Sequence, residues 1–219
     1  MTARVKIDFI SDVSCPWCAI ALSALEAALA KLGPGIESDL HFQPFELNPE
    51  MGKEGEDIIE HLSAKYGSPP EQMRHAQEAL RARGAEVGFT FDLDKRTRIY
   101  NTFDAHRLLQ WAGTEGRQRA LEHALFEAYF LEGRDPSDHA VLLDLAARVG
   151  LDASRARQIL ESDEYAAEVR ARERLYRDHG IDAVPTIIIN GRYLIQGGQP
   201  VQVFEELLRR FAAGESLPS

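Results

Sequence analysis

The stretch FISDVSCPWCAIALSALEAAL, beginning at Phe9, constrains this chain more than any other, because it carries both of its cysteines, Cys15 and Cys18. Upstream, VKIDFISDV alternates apolar and polar residues with Val5, Ile7 and Phe9 on one face, the period of a strand. Downstream, Pro16 suits the first turn of a helix, where its missing N–H is no loss. Ile20, Leu22, Leu25, Ala28, Leu29 and Leu32 then recur at helical spacing until Gly33-Pro34-Gly35 stops them. The pair therefore falls at a strand-to-helix junction. There, the open N–H groups and the positive dipole end of the first turn favour thiolate over thiol at the first cysteine. Cys18, one turn on, lies on the same face and is expected to be the more buried.

Two sulfurs so placed admit three uses. A structural disulfide over two intervening residues closes a tiny loop and constrains little. A metal clip needs two more ligands at suitable spacing. No further cysteine exists, and His41, His61, His75, His106, His123, His139 and His179 include no closely spaced ligand pair, so no metal is expected. A redox pair needs nothing else: Cys15 attacks a disulfide and Cys18 resolves the mixed disulfide.

The rest of the chain frames that junction. LHFQPFEL around Phe42 reads as a second strand, closed by the polar, turn-rich NPEMGKEGE, so the chain opens with βαβ and a parallel strand pair. From about Ile58 to His179 the pattern is helical, with Leu121, Leu125, Ala128 and Leu131 in step. Asp138 or Ser137, and then Asp152 with Ser154, mark helix starts, while Gly133 and Gly150 mark stops. AEVGFTFDLD is the exception, a loop or short extended piece. A helix from near Thr97 is expected to carry Asn101, Thr102 and His106, with Leu108, Leu109 and Trp111 in its core face. His179 reads as a cation at a helix C-terminus.

After Gly180 a β-branched run, VPTIIIN, meets Asn190-Gly191, a tight hairpin turn into RYLIQ. An amphipathic helix closes the chain, with Val203, Leu207, Leu208 and Phe211 expected inward. Pro185 in Val184-Pro185-Thr186 taken alone reads as the first residue of a strand. Beside an upstream Cys-x-x-Cys it reads as a cis proline facing the thiols.

The expected class is α/β: a βαβ half at 1–57, a large all-helical insertion at 58–179, and a ββα half at 180–213 that completes one domain with the first, followed by a tail at 214–219. The net charge of −10 argues against nucleic acid and anionic membrane as partners. MTARVKIDFI lacks the apolar run of a signal peptide, and no stretch is expected to span a membrane. A cytoplasmic location follows, where a lone cysteine pair is more often catalytic or metal-binding than structural.

CPWC between strand and helix, a helical insertion, and AVPTIIINGRYLIQGGQP together resemble the DsbA branch of the thioredoxin superfamily. DVSCPWC, PFELNP, NTFDAHRLLQWA and VPTIIINGRYLIQGGQ are closer still to its FrnE-like dithiol–disulfide oxidoreductases, over about Val5 to Phe211. The resemblance implies a thioredoxin-like fold, Cys15 as nucleophile, Cys18 as resolving cysteine and Pro185 as the cis proline between Val184 and Thr186. It makes Pro16 and Trp17 the dipeptide that tunes the redox potential. Asp8, opposite Val5, Ile7 and Phe9, is either a buried acid relaying the proton of the buried cysteine or part of a solvated face, with Asp12 as its substitute. Asn101 either orients a bound thiol or peptide or caps a helix.

The implied activity is disulfide reduction or isomerisation on protein or small-molecule disulfides, through the Cys15–Cys18 pair and without a bound cofactor. Glutathione is an expected substrate or reductant, and a cellular thiol reductant is the expected partner. A glutathione-dependent transferase or isomerase, resembling kappa-class glutathione transferases and hydroxychromene-carboxylate isomerases, is the alternative. Those relatives generally lack the pair and use a serine near this point, for which Ser11 and Ser14 are candidates. A non-catalytic peptide-binding (holdase) module is the third reading.

Overall fold

The first strand, β1 (Ala3–Ser11), is the axis of the molecule. The computed structural model describes residues 3–67 and 69–214, so residues 215–219 of the expected tail lie outside the described residues. β1 pairs in parallel with β2 (Ile36–Pro44), in a register that sets Ile7 beside Leu40 and Phe9 beside Phe42. Its other edge pairs antiparallel with β5 (Thr186–Ile189), which pairs antiparallel with β6 (Tyr193–Gln196), giving the order β2-β1-β5-β6. Asn190 and Gly191 join the last two strands at φ 53 and 65, the double positive φ of a tight hairpin that twists with its strands.

Helix α1 (Pro16–Leu32) follows β1, and a 3-10 turn at Gly33–Gly35 returns the chain into β2. Val5, Ile7 and Phe9 are fully buried against Ile20, Leu22 and Leu25 of α1 and against the final helix, α9 (Val201–Ala212). By length and composition one helix resembles a membrane span. Pro16–Gly35 is 20 residues long with mean hydropathy 1.2. The apolarity has a packing cause: α1 lies between the sheet, α9 and the middle of the chain, and its row from Cys18 to Ala28 is buried among them. In α9 the inward stripe is Phe204, Leu208 and Phe211, while Val203 is 36% exposed. The i, i+4, i+7 row starts one residue later than expected.

The middle of the chain is helical but not wholly so. Its elements are β3 (Glu56–Asp57), α2 (Ile58–Tyr66), α3 (Pro70–Glu86), β4 (Arg98–Ile99), α4 (Phe103–Thr114), α5 (Gln118–Phe130), α6 (His139–Arg148), α7 (Ala153–Leu160) and α8 (Ala166–Asp178). β3 and β4 form an antiparallel ribbon that the expected all-helical insertion did not include. The helix expected from near Thr97 begins at Phe103. Arg98–Ile99 is spent on the ribbon, and the Asn101 side chain accepts from the Phe103 amide at 2.9 Å, a local turn that competes with helix. Asp138 and Asp152 cap α6 and α7 through their side chains. Leu108, Trp111, Leu121, Leu125, Leu142 and Ile159 close a second core with Val13, the residue two before Cys15.

Candidate active site

Cys15 is the N-cap of α1, with Pro16 in the first turn. Its amide donates to the Asp12 carbonyl at 3.0 Å, and the Cys18 amide donates to the Cys15 carbonyl at 3.0 Å, so the dithiol hangs from a tight turn. The pairing of Ile10 with Thr186 brings the segment before β5 alongside the end of β1. The Val184–Pro185 peptide bond is cis, and the Cys15 thiol donates to the Val184 carbonyl at 3.6 Å. Thr186 is fully buried and its hydroxyl donates to the Ala183 carbonyl at 2.7 Å, which holds the bend.

Cys15 is 4% exposed and Cys18 0%, and the two sulfurs are not bonded to one another. Burial and then the neighbouring Cys15 sulfur push the Cys18 thiol well up, against the pull of the Asp12 amide. Cys18 is therefore held protonated. Trp17, 40% exposed, flanks the pair. A Cβ at Gly198 would stand 3.3 Å from its ring, so this glycine lets the loop after β6 lie against Trp17.

Asp8 is buried, the first of the two placements expected for it, and its partners lie away from the thiols. Asp8 is in an ion pair with Lys6 at 3.0 Å and accepts from Gln43 at 2.8 Å. Among the described residues no hydrogen bond or ion pair joins it to either cysteine. Asp12 is joined to the dithiol turn through its backbone, its carbonyl accepting from the Cys15 amide, while its carboxylate holds that turn to its surroundings. It accepts from the Ser14 amide at 3.0 Å and the Leu47 amide at 2.7 Å, and lies 3.7 Å from His106 Nε2. Burial opposes its charge, but His106 and the two amides outweigh burial and hold its carboxyl below the usual range. The strand alternation placed Asp8 and could not place Asp12, which lies past the strand end.

Around His106 the interior is strongly polar. Glu122 is fully buried, accepts from the Ser11 hydroxyl at 2.8 Å and is pushed up to about 7 by burial. Glu46 is pushed up to about 7 by burial and by Glu173, against Arg170, which binds both carboxylates. Asn101 donates toward Glu46 at 3.4 Å and the Pro49 carbonyl at 3.5 Å, and does not line the cavity in front of Cys15. It is a capping residue tied to Glu46.

That cavity, about 660 Å³, is bounded by Ser14, Cys15, Pro16, Trp17, Val184 and Arg96 on the dithiol side and by α2 and α3 opposite. Arg96 was not visible as a site residue, because in DLDKRTRIY it stands in a charged run that reads as solvated loop. It is buried, donating through Nη2 to the Ser14 carbonyl at 3.1 Å.

A thioredoxin-type sheet interrupted by a long helical segment, with paired thiols at the start of α1 facing a proline before β5, defines a DsbA-like member of the thioredoxin superfamily. Residues 6–209 match the DSBA-like thioredoxin domain, and the chain belongs to that family of thiol–disulfide oxidoreductases. The crystal structure of SCO1869 from Streptomyces coelicolor, described as a probable DsbA oxidoreductase, is 34% identical, with TM-score 0.87 over 98% of this chain and 92% of that one. YwbO of Bacillus subtilis, an uncharacterized protein, is 25% identical over 95% of this chain and 96% of its own length. The cytosolic disulfide reductase DsbM from Pseudomonas aeruginosa, solved with GSH, shares the fold at 21% identity and TM-score 0.65, over 95% of this chain and 99% of that one.

Proposed function

We propose that the chain reduces or isomerises disulfides by dithiol–disulfide exchange at Cys15 and Cys18. One observation carries the reading: Cys15 caps α1 at the wall of an open cavity, 3.6 Å from the Val184 carbonyl, while Cys18 is fully buried one turn behind it. In the reducing direction the Cys15 thiolate attacks a substrate disulfide, forming one S–S bond and expelling one thiolate. Cys18 loses its proton and attacks the Cys15 sulfur, which expels the second thiolate and leaves the Cys15–Cys18 disulfide. Two electrons pass to the substrate, and a cellular thiol reductant returns them. The Asp12 amide favours the Cys18 thiolate and the Asp12 carboxylate disfavours it, which makes Asp12 the positioning residue of this proposal for the second step.

The bound GSH of DsbM supports glutathione as substrate or reductant, and the cytosolic site of that protein supports a cytoplasmic one here. No cofactor is needed. The FrnE-like branch, the tuning role of Pro16 and Trp17, and the organisation into two thioredoxin halves around an insertion at 58–179 belong to the same proposal. Insulin reduction by the protein and by Cys15→Ser tests it; activity untouched by the substitution would falsify it.

A second reading, glutathione transfer or isomerisation through a serine, draws on one observation. Ser14 lines the cavity and its hydroxyl is buried without a hydrogen-bond partner among the described residues, whereas Ser11 is committed to Glu122. Conjugation of glutathione to a standard electrophile by the Cys15→Ser, Cys18→Ser double variant would favour it.

A further inference from the structure

We infer that the cavity in front of Cys15 binds small disulfides through their carboxylates, with Arg96 and Ser14 holding the one nearest the sulfur and Lys65 and Arg177 a second. This rests on the exchange reading above and adds the substrate class.

Arg96 is 6% exposed. Its guanidinium lies 4.8 Å from the Tyr129 ring centroid and 4.9 Å from that of Phe130, and its Nη2 donates to the Ser14 carbonyl, one residue from the nucleophile. No ion pair among the described residues includes it, and its Nε is buried without a hydrogen-bond partner among them. Aromatic faces offset part of the cost of burying a permanent charge, and the guanidinium fork matches a carboxylate or phosphate bidentately. The Ser14 hydroxyl, also unpartnered and buried, belongs to a residue of the same wall.

Two more cations line the cavity with neutral acceptors alone. Lys65 donates to the Leu47 carbonyl at 3.0 Å and Asn48 Oδ1 at 2.8 Å, and Arg177 to the Glu46 carbonyl at 3.2 Å. Neither has an ion pair among the described residues, although the chain carries a net charge of −10. Of the carboxylates on the cavity wall, Glu46 is taken by Arg170 and Asp182 is exposed. Three cations left to neutral acceptors around one nucleophile form an anion-binding surface.

Its size decides between ligands. A volume of about 660 Å³ matches small-molecule sites, which run from about 300 to 1,000 Å³, and α2 and α3 wall off the far side. A cysteine-derived thiol bonded to Cys15 carries its own carboxylates within reach of Arg96 and, at the far end of a tripeptide, of Lys65 and Arg177. The chemical class is a low-molecular-weight disulfide with two or more carboxylates.

The test measures oxidation of the fully reduced protein by glutathione disulfide (anionic), bis(2-hydroxyethyl) disulfide (neutral) and cystamine (cationic). Each rate constant is divided by the one measured for dithiothreitol with the same disulfide. The expected order is anionic above neutral above cationic. Arg96→Gln lowers the anionic-to-neutral ratio roughly tenfold, the worth of one charge-assisted contact, while Arg81→Gln, a surface cation paired elsewhere, leaves it in place. Equal normalised constants in the unaltered protein, or a preference that survives Arg96→Gln, overturn the proposal. If Arg96→Gln does not fold, Lys65→Gln with Arg177→Gln replaces it, and a ratio unchanged in that double variant is equally fatal. A protein that none of the three disulfides oxidises refutes the exchange reading itself; oxidation without charge preference refutes only the carboxylate site.

Discussion

Asp12 Oδ1 lies 3.7 Å from His106 Nε2, with both side chains buried. The contact ties the turn that presents Cys15 to helix α4, so the dithiol is anchored to the helical middle of the chain as well as to the sheet. His106 is held up by this partner: burial disfavours its cation, but Asp12, Glu122 and Glu46 together favour it more.

The first prediction concerns pH. A histidine raised above 6.5 contributes stability that is complete below that value and lost as pH rises through the folded one. Glu122 and Glu46, at about 7 against 4.5 unfolded, keep protons in the folded state that the unfolded chain has already released. Stability therefore falls as pH rises between 4.5 and 7. Asp12 works in the other direction only at acid pH, losing its contribution as pH drops through its lowered value. The urea midpoint should thus decline from pH 5 to 8. Glu122→Gln, which keeps an acceptor for Ser11, should flatten that slope; an unchanged slope contradicts the assignment.

Cys18→Ser should leave Cys15 able to attack and nothing to resolve the product. Incubation with glutathione disulfide should give a protein heavier by one glutathione, detected by mass spectrometry and released by dithiothreitol. Cys15→Ser should give no such adduct through the buried Cys18. Equal adducts on both variants would contradict the proposed division of roles.

Gly84 lies inside α3, where alanine gains up to about 1 kcal/mol of helix propensity. A Cβ there would stand 2.5 Å from the Phe89 carbonyl oxygen and 2.6 Å from the Phe91 ring, one of them rigid backbone. The clash should win, and Gly84→Ala should lower stability by about 1–3 kcal/mol in urea unfolding. A gain in stability would show that α3 can shift away from this loop.

Asp152 caps α7 by accepting from the Ser154 amide at 2.8 Å and the Arg155 amide at 3.1 Å. Asp152→Ala should cost about 1 kcal/mol, and Asp152→Asn, which keeps the acceptor, much less. Equal losses in the two variants would assign the effect to charge instead of capping.

The elements whose signal is local were legible in the chain. The alternation of Val5, Ile7 and Phe9, the Pro16 start and the Asn190-Gly191 turn each act over a few residues, and the structure has β1, α1 and the β5–β6 hairpin there. The ribbon of β3 and β4 was not legible, because strands of two residues carry no period and exist only by pairing across the chain. Asn101 was read onto a helix for the related reason that its capping bond is invisible to spacing.

At the site the division is similar. The sequence by itself determined that both sulfurs sit one helical turn apart at the end of a strand and that a proline precedes a later β run, since these depend on neighbours in the chain. Only the tertiary structure decided that Asp12 binds the Ser14 and Leu47 amides beside His106 while Asp8 pairs with Lys6, that Arg96 leaves its charged loop to stand against Tyr129 beside Ser14, and that Lys65 and Arg177 face the same cavity. Burial and charge pairing are properties of residues brought together from far apart, and no local pattern encodes them.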